Sequence, residues 1–182
     1  AAVRVLESAG TPRGNIWLLH CTTQYPAPLQ SVNLRAMDAL ASLGCAGVGY
    51  SDHTEGIEVA LAAAARGAVI IEKHFTLSRS LPGPDHKASL EPDELARLVA
   101  SVRKVEAALG GGVKDVADAE RPNIEVARKS IVAARAIAEG ELFSEDNITV
   151  KRPGNGISPM RWFDVLGSRA PRSFEADELI SL

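Results

Sequence analysis

Cysteine is scarce in this chain: Cys21 and Cys45 are the only two among 182 residues. Two thiols cannot build the disulfide framework of a small secreted domain, and they fit a reducing, cytoplasmic setting. Their simplest role is that of two buried free thiols. An excess of charge of either sign is missing as well. The formal net charge of -3 gives no electrostatic attraction to nucleic acid or to an anionic membrane surface. Long apolar runs are also absent. The most apolar stretch, Val59–Ala65, is bounded by Glu58 and Arg66 and falls short of the roughly 20 residues a membrane span needs. No methionine or signal-like segment stands at the start. The text opens at Ala1 in AAVRVLESAG, which reads as the end of a helix stopping at Gly10, with further residues expected upstream.

What is present is an ordinary globular composition, 46% apolar and 24% charged, enough for one large domain or two small ones. The first two thirds alternate strand and helix signals. Ile16–Cys21, Ala46–His53 and Val69–Phe75 are apolar runs of strand length. A helical pattern with Val32, Ala36, Met37, Leu40 and Leu43 on one face follows the first run and stops at Gly44. A helix from Gly56 to Arg66 follows the second. After the third comes a loop with Pro82, Gly83 and Pro84, then a long helix from Pro92 with a stripe of Leu95, Leu98, Val99, Val102, Val105 and Leu109. Strand–helix repeated in this way predicts parallel strands with helices outside. It suits the last units of a (β/α)8 barrel, with a small α/β layer as the alternative.

Gly110-Gly111-Gly112 ends the long helix, and the pattern then changes. Residues 113–124 read as a linker between a first domain, 1–112, and a second, 125–182. In the second, Lys129–Ala138 and Ile148–Arg152 are strand-like, Glu139-Gly140 is a turn, Ser144 is placed to cap one helical turn, and Pro153–Pro159 is a loop. Short strands with frequent turns predict a small, mostly β domain.

Strand parity sorts the polar residues of the first domain. On the third run Ile70, Glu72 and His74 share a face and Lys73 opposes them; on the second, Ser51 and His53 share a face and Asp52 opposes them. Both histidines lie at the C-terminal ends of their strands, where parallel barrels build active sites. Two histidines on adjacent strands can hold one metal with Glu72 beside it and open positions for substrate. Each is equally open to a structural hydrogen-bonding role, and Glu72 to pairing with a cation. Lys73 would suit a Schiff-base aldolase, but its parity sends it toward the outer helices, where a lysine snorkels to water. Thr22, Thr23 and Tyr25 follow the first strand, and Asp85, His86 and Lys87 the third. Hydroxyls and loop N–H groups of this kind either hold a phosphate or cap a turn.

Six segments become specific when taken together: LLHCTTQYPAP (Leu18–Pro28), GYSDHTEG (Gly49–Gly56), IEKHFT (Ile71–Thr76), PGPDHKASLEPDEL (Pro82–Leu95), ARKSIVAA (Ala127–Ala134) and VKRPGNGISP (Val150–Pro159). In sequence and order they resemble the sialic acid synthase family, over nearly the whole chain. The resemblance implies the C-terminal portion of a TIM barrel followed by a small antifreeze-like (SAF, β-clip) domain. It also implies a homodimer in which each SAF domain caps its partner's barrel. The implied reaction joins phosphoenolpyruvate to N-acetylmannosamine or a related N-acylated amino sugar, with release of phosphate. By the same resemblance His53 and His74 match the metal ligands, for manganese or magnesium, and with Glu72 form the implied catalytic set. Ser51 matches a contact to the phosphate of phosphoenolpyruvate. Glu72, Tyr25 and Asp85 match groups lining the amino-sugar site, and Arg152 matches an arginine that crosses the dimer to the sugar's N-acyl group. Thr23 stands where some relatives carry asparagine near phosphoenolpyruvate, and its hydroxyl can still donate there. Val126 falls where one branch carries an aromatic residue. The first part of the family's barrel has no counterpart in this text. A legionaminic or pseudaminic acid synthase, and a non-catalytic binding module built on the SAF domain, are the alternatives.

Overall fold

The computed structural model describes residues 1–182. The chain divides into two compact units, Ala1–Val113 and Lys114–Leu182. No helix is long and apolar enough to cross a membrane.

The first unit opens with helix α1 (Ala2–Ser8), which gives way to Gly10 at φ 96°, a left-handed conformation that glycine adopts without strain. Strands β1 (Trp17–Cys21), β2 (Gly47–Asp52) and β3 (Ile71–Lys73) form one parallel sheet in the order β1-β2-β3. The register sets Cys21 beside Ser51 and Ser51 beside Glu72. β3 is shorter than its apolar run. Even so, Val69 N donates to Val48 O (3.0 Å) and Tyr50 N to Ile70 O (2.9 Å), so the earlier part of the run still lies along β2.

Between β1 and β2 the single helix expected from the apolar pattern is two helices, α2 (Leu29–Val32) and α3 (Ala36–Ala41). Asn33 breaks it by taking a left-handed conformation, φ 46° and ψ 57°, which asparagine tolerates better than most side chains. Both pieces still cover the sheet: Val32 and Met37 pack with Val48, Tyr50 and Ala63. α4 (Glu58–Ala65) and α5 (Pro92–Leu109) complete this side, joined through Ile57, Ala60, Leu90 and Leu98. α5 begins as the sequence signals: Pro92 is its first residue, and Glu91 and Glu94 form a reciprocal capping box. Of its apolar stripe only Leu98 is fully buried.

Helices cover the face carrying Val48 and Tyr50, which leaves Leu19, Cys21, Gly49, Ser51 and Glu72 on the opposite one. Gly49 is required there. A Cβ at this position would sit 2.6 Å from the Ile70 carbonyl oxygen and 2.8 Å from Ile70 Cβ. Gly49→Ala is therefore expected to push β3 away from β2 at a cost of about 1–3 kcal/mol, read as a lower midpoint in urea denaturation.

In the second unit a 3-10 turn at Asp118–Asn123, inside the stretch expected as a linker, leads to α6 (Ile124–Ala127). Strands β4 (Ser130–Ala133) and β5 (Ile148–Lys151) pair antiparallel, Ser130 opposite Lys151 and Ala133 opposite Ile148. α7 (Trp162–Val165) follows. The first strand is shorter than the expected Lys129–Ala138 because its edge is shared. Ala134 N donates to Asn147 O (2.8 Å), whereas Ile137 pairs with Phe174. One core gathers Ile131, Ile137, Phe143, Ile148, Val165, Phe174 and Ile180.

Ser144 does not cap a helical turn. Its backbone N–H donates to the Asn147 side-chain oxygen (2.7 Å), and the chain makes a simple turn into β5. Buried Asn147 also donates to Leu142 O (2.9 Å) and to Glu141 Oε1 (3.0 Å). Hydrogen bonds from Ala138 N–H, Arg135 and Asn147 hold the Glu141 carboxyl down at about 2, from the ordinary 4.5. A carboxylate whose folded value is depressed contributes stability that is complete above its unfolded value and fades as pH falls through the folded one. The second unit is therefore expected to weaken from about pH 4.5 down to about pH 2. Glu141→Gln should flatten that part of its acid-denaturation profile.

Candidate active site

The parallel sheet delivers side chains to one place. β1 ends in Cys21 and continues through Thr22, Thr23 and Tyr25; β2 ends in Asp52 and continues to His53; β3 ends in Lys73 and continues to His74. These are the C-terminal ends of three neighbouring parallel strands. The loop after His74 is held close: Leu90 N donates to His74 O (2.9 Å) and Thr76 N to Leu90 O (2.9 Å). That return brings Asp85 and Ser89 back to the same end.

The rings of His53 and His74 lie 5.2 Å apart, nearly perpendicular at 83°. Tyr25 packs on both, 4.2 Å from His74 and 5.3 Å from His53 between ring centres. Its hydroxyl is 3.2 Å from Ser89 Oγ, which itself donates to the Asp85 carbonyl oxygen at 2.6 Å. Asp85 Oδ2 lies 4.0 Å from His74 Nδ1. Ser51 Oγ donates to Glu72 Oε1 (2.8 Å), so the cation partner open to Glu72 from sequence is replaced by a hydroxyl, and Glu72 is exposed. Burial pushes the Tyr25 phenol above its ordinary value, with the Asp85 and Asp52 charges acting the same way and the Ser89 bond opposing them. Tyr25 thus keeps its proton at neutral pH.

Of the residues singled out from sequence, Tyr25, Ser51, His53, Glu72, His74 and Asp85 lie at this one end of the sheet. Thr23 is exposed in the loop after β1. Arg152 belongs to the second unit, where it is exposed and its Nε donates to Ala127 O (3.0 Å). Lys73 takes the face expected of it but does not reach water. Its ammonium is 2.8 Å from Asp52 Oδ2, with the two side chains only 4% and 0% exposed. Both cysteines are free, as expected, but half-buried rather than buried, and Cys21 Sγ sits 3.9 Å from each ring nitrogen of His53.

Family models decide what this arrangement belongs to. The NeuB family model matches residues 1–114 and the SAF domain model residues 128–182. The chain belongs to the NeuB family. It is 53% identical over 179 residues to the N,N'-diacetyllegionaminic acid synthase of Campylobacter jejuni, covering 98% of this chain and 54% of that protein. It is 40% identical over 168 residues to human N-acetylneuraminate-9-phosphate synthase, covering 91% of this chain and 47% of that one. Among solved structures, the N-acetylneuraminic acid synthetase of Leptospira borgpetersenii is similar with a TM-score of 0.60 and 40% identity, over 68% of this chain and 42% of that one. The chain thus spans about half the length of the curated relatives it matches.

In this NeuB-family chain the donor chemistry of the histidine pair fits a divalent cation. His53 Nδ1 is 2.9 Å from the Thr22 carbonyl oxygen. A carbonyl only accepts, so that nitrogen carries a proton, and in the neutral imidazole the lone pair is then on Nε2, the tautomer a metal ligand needs. No group of three or more histidine, cysteine, aspartate and glutamate side chains converges to hold a metal. What this chain offers is a pair of imidazoles. Sequence reasoning missed Ser89 and the Thr22 carbonyl. Ser89 is 64 residues from Tyr25, and no periodicity links them; a backbone carbonyl leaves no mark in the sequence at all.

Proposed function

We propose that this chain carries the metal-binding and sugar-facing half of a sialic acid synthase-type active site. In this reading the complete site joins phosphoenolpyruvate to an N-acylated amino sugar, giving a nine-carbon 2-keto-3-deoxy acid and phosphate. The observation that carries it is the adjacent His53–His74 pair at the ends of neighbouring parallel strands, with Glu72, Ser51, Tyr25 and Asp85 around it. The three strands are read as consecutive units of a (β/α)8 barrel, supported by their parallel order and by the convergence of polar groups at their C-terminal ends.

His53 and His74 would hold a divalent cation, which would supply Lewis-acid polarisation of an aldehyde. Manganese is the better fit, because magnesium prefers oxygen ligands to imidazole. The nucleophilic carbon of phosphoenolpyruvate forms its bond to the aldehyde carbon, and the aldehyde oxygen gains a proton. Water adds to the carbon that carries phosphate, and phosphate leaves with cleavage of the C–O bond. Glu72 moves a proton at this site, with Ser51 as its hydrogen-bonded neighbour. Tyr25, held protonated, and Asp85 meet sugar hydroxyls, and Thr23 donates near phosphoenolpyruvate.

Ser51 has two tasks to reconcile. Its hydroxyl donates to Glu72, so contact with the phosphate requires it to turn from one anion to the other. Ser51→Ala is expected to raise the KM for phosphoenolpyruvate about tenfold with a smaller change in kcat, the loss of one charge-assisted hydrogen bond. Arg152 orients the N-acyl group from the partner subunit in the proposed homodimer. Its Nε is engaged by Ala127, which leaves the two Nη groups of the fork for an acyl oxygen.

The higher identity to the Campylobacter legionaminic acid synthase than to the human neuraminate phosphate synthase favours a diacetamido hexose over N-acetylmannosamine. The test joins this chain to the part of the Campylobacter relative that lies outside the match. The fusion is supplied with phosphoenolpyruvate, manganese and either sugar, and mass spectrometry reads the product. A nine-carbon keto acid from the diacetamido sugar is expected. A product from N-acetylmannosamine alone would move the assignment to the neuraminic acid branch. No product from either, with phosphoenolpyruvate intact, would leave a binding module in its place.

A further inference from the structure

We infer that the buried ion pair of Lys73 and Asp52 is a positioning device that fixes the spacing of His53 and His74, and that this is why the sheet keeps two charges in its interior. The inference rests on the proposed role of the histidine pair and deepens it. Asp52 and Lys73 are register partners on β2 and β3, and each immediately precedes one of the two histidines. Their side chains leave the sheet on the helix-facing side, away from the site, and are almost wholly enclosed.

The bonding is centred on one ammonium. Lys73 Nζ donates to Asp52 Oδ2 at 2.8 Å and to the Thr54 backbone oxygen at 2.6 Å. Asp52 Oδ1 accepts from Thr54 N–H at 2.9 Å and from Thr54 Oγ1 at 2.8 Å. The residues before and after His53 are therefore both tied to the side chain of the residue before His74. On its other side His53 is held by its own carbonyl, which accepts from Ala27 N–H at 2.8 Å, so the loop that carries Tyr25 joins the same frame.

Stability alone does not explain this choice. A buried pair replaced by apolar groups of similar volume is commonly neutral or stabilising, because desolvation offsets the attraction. Parallel pairing of β2 with β3 already closes the sheet, and β3 is only three residues long. Leu90 N–H holds the His74 carbonyl from the loop side, but alignment of His74 with His53 calls for a restraint directed at β2. A lysine bonded across the strand end supplies one with direction, which an apolar contact lacks.

The test compares the wild-type chain with the double variant Asp52→Leu/Lys73→Met, which removes both charges and leaves neither uncompensated. Histidine-ring NMR on the chain, with only four histidines, reads the nuclear Overhauser contacts between the His53 and His74 rings directly and without metal. The expected result is a folded double variant with an unchanged spectrum in the second unit, in which those ring-to-ring contacts are lost or weakened severalfold. Manganese titration should show affinity at least tenfold lower, the scale of a disturbed support for metal ligands. Ring contacts of full strength in the folded double variant overturn the inference. If the double variant does not fold, the milder Asp52→Asn is measured in the same way and judged by the same contacts. Should the wild type bind no manganese, the metal reading fails on its own, while the ring contacts still decide whether the pair positions the histidines.

Discussion

If the proposed function holds, replacing His53 or His74 by alanine is expected to lower metal-dependent turnover of the fusion by about a thousandfold or more, the scale of several kcal/mol of lost charge stabilisation at the transition state. In the proposed site His53 and His74 are the two imidazoles that this chain would offer a cation, and it gathers no group of three ligating side chains. The fold should survive either change, because both rings are only half-buried at the open end of the sheet. Steady-state kinetics in the fusion, with manganese titrated, make the check. Turnover within tenfold of wild type in both variants would remove the metal from these residues.

Lys73→Ala alone should have the largest effect on stability, destabilising the first unit by about 3–5 kcal/mol. The substitution leaves the Asp52 carboxylate fully enclosed, with its Thr54 bonds intact but no cation. Removing one member of a buried pair leaves an uncompensated charge, whereas removing both does not. Urea denaturation followed in the first unit should show a larger loss for Lys73→Ala than for Asp52→Leu/Lys73→Met, whose remaining loss comes from the buried Thr54 groups left without partners. Equal losses in the two would mean that the pair stabilises in the ordinary additive sense.

Much of the candidate site was legible because strand parity is rigid. Once Ser51, His53, Glu72 and His74 were set on strands, alternation alone put them on one face; the observed register sets Ser51 beside Glu72, and the two histidines follow just past the strand ends. The paired strand–helix units were legible for the same reason, since apolar runs of strand length alternated with helical stripes. The resemblance to the synthase family is shown by the family models. What stayed hidden was decided by single side chains acting through space. Parity pointed Lys73 toward the helices, but nothing local revealed that Asp52, 21 residues earlier, would meet it there. Asn33 carries no signal strong enough to break an apolar stripe, yet its left-handed backbone divides one helix into two. Ser144 looked like a cap because caps are serines, but Asn147 took the bond. In the second unit the strands are short and bridged singly, as at Leu142 with Arg169, and such pairings leave little periodicity to read.

One labelled reaction decides whether this chain supplies half of a site joining phosphoenolpyruvate to an amino sugar. The fusion is given manganese, the diacetamido sugar and phosphoenolpyruvate carrying oxygen-18 in the bond between carbon and phosphate. Mass spectrometry then follows the label. A nine-carbon keto acid without the label and inorganic phosphate with it are expected, because the C–O bond breaks. Label retained in the keto acid, or phosphoenolpyruvate left unconsumed, would contradict that role.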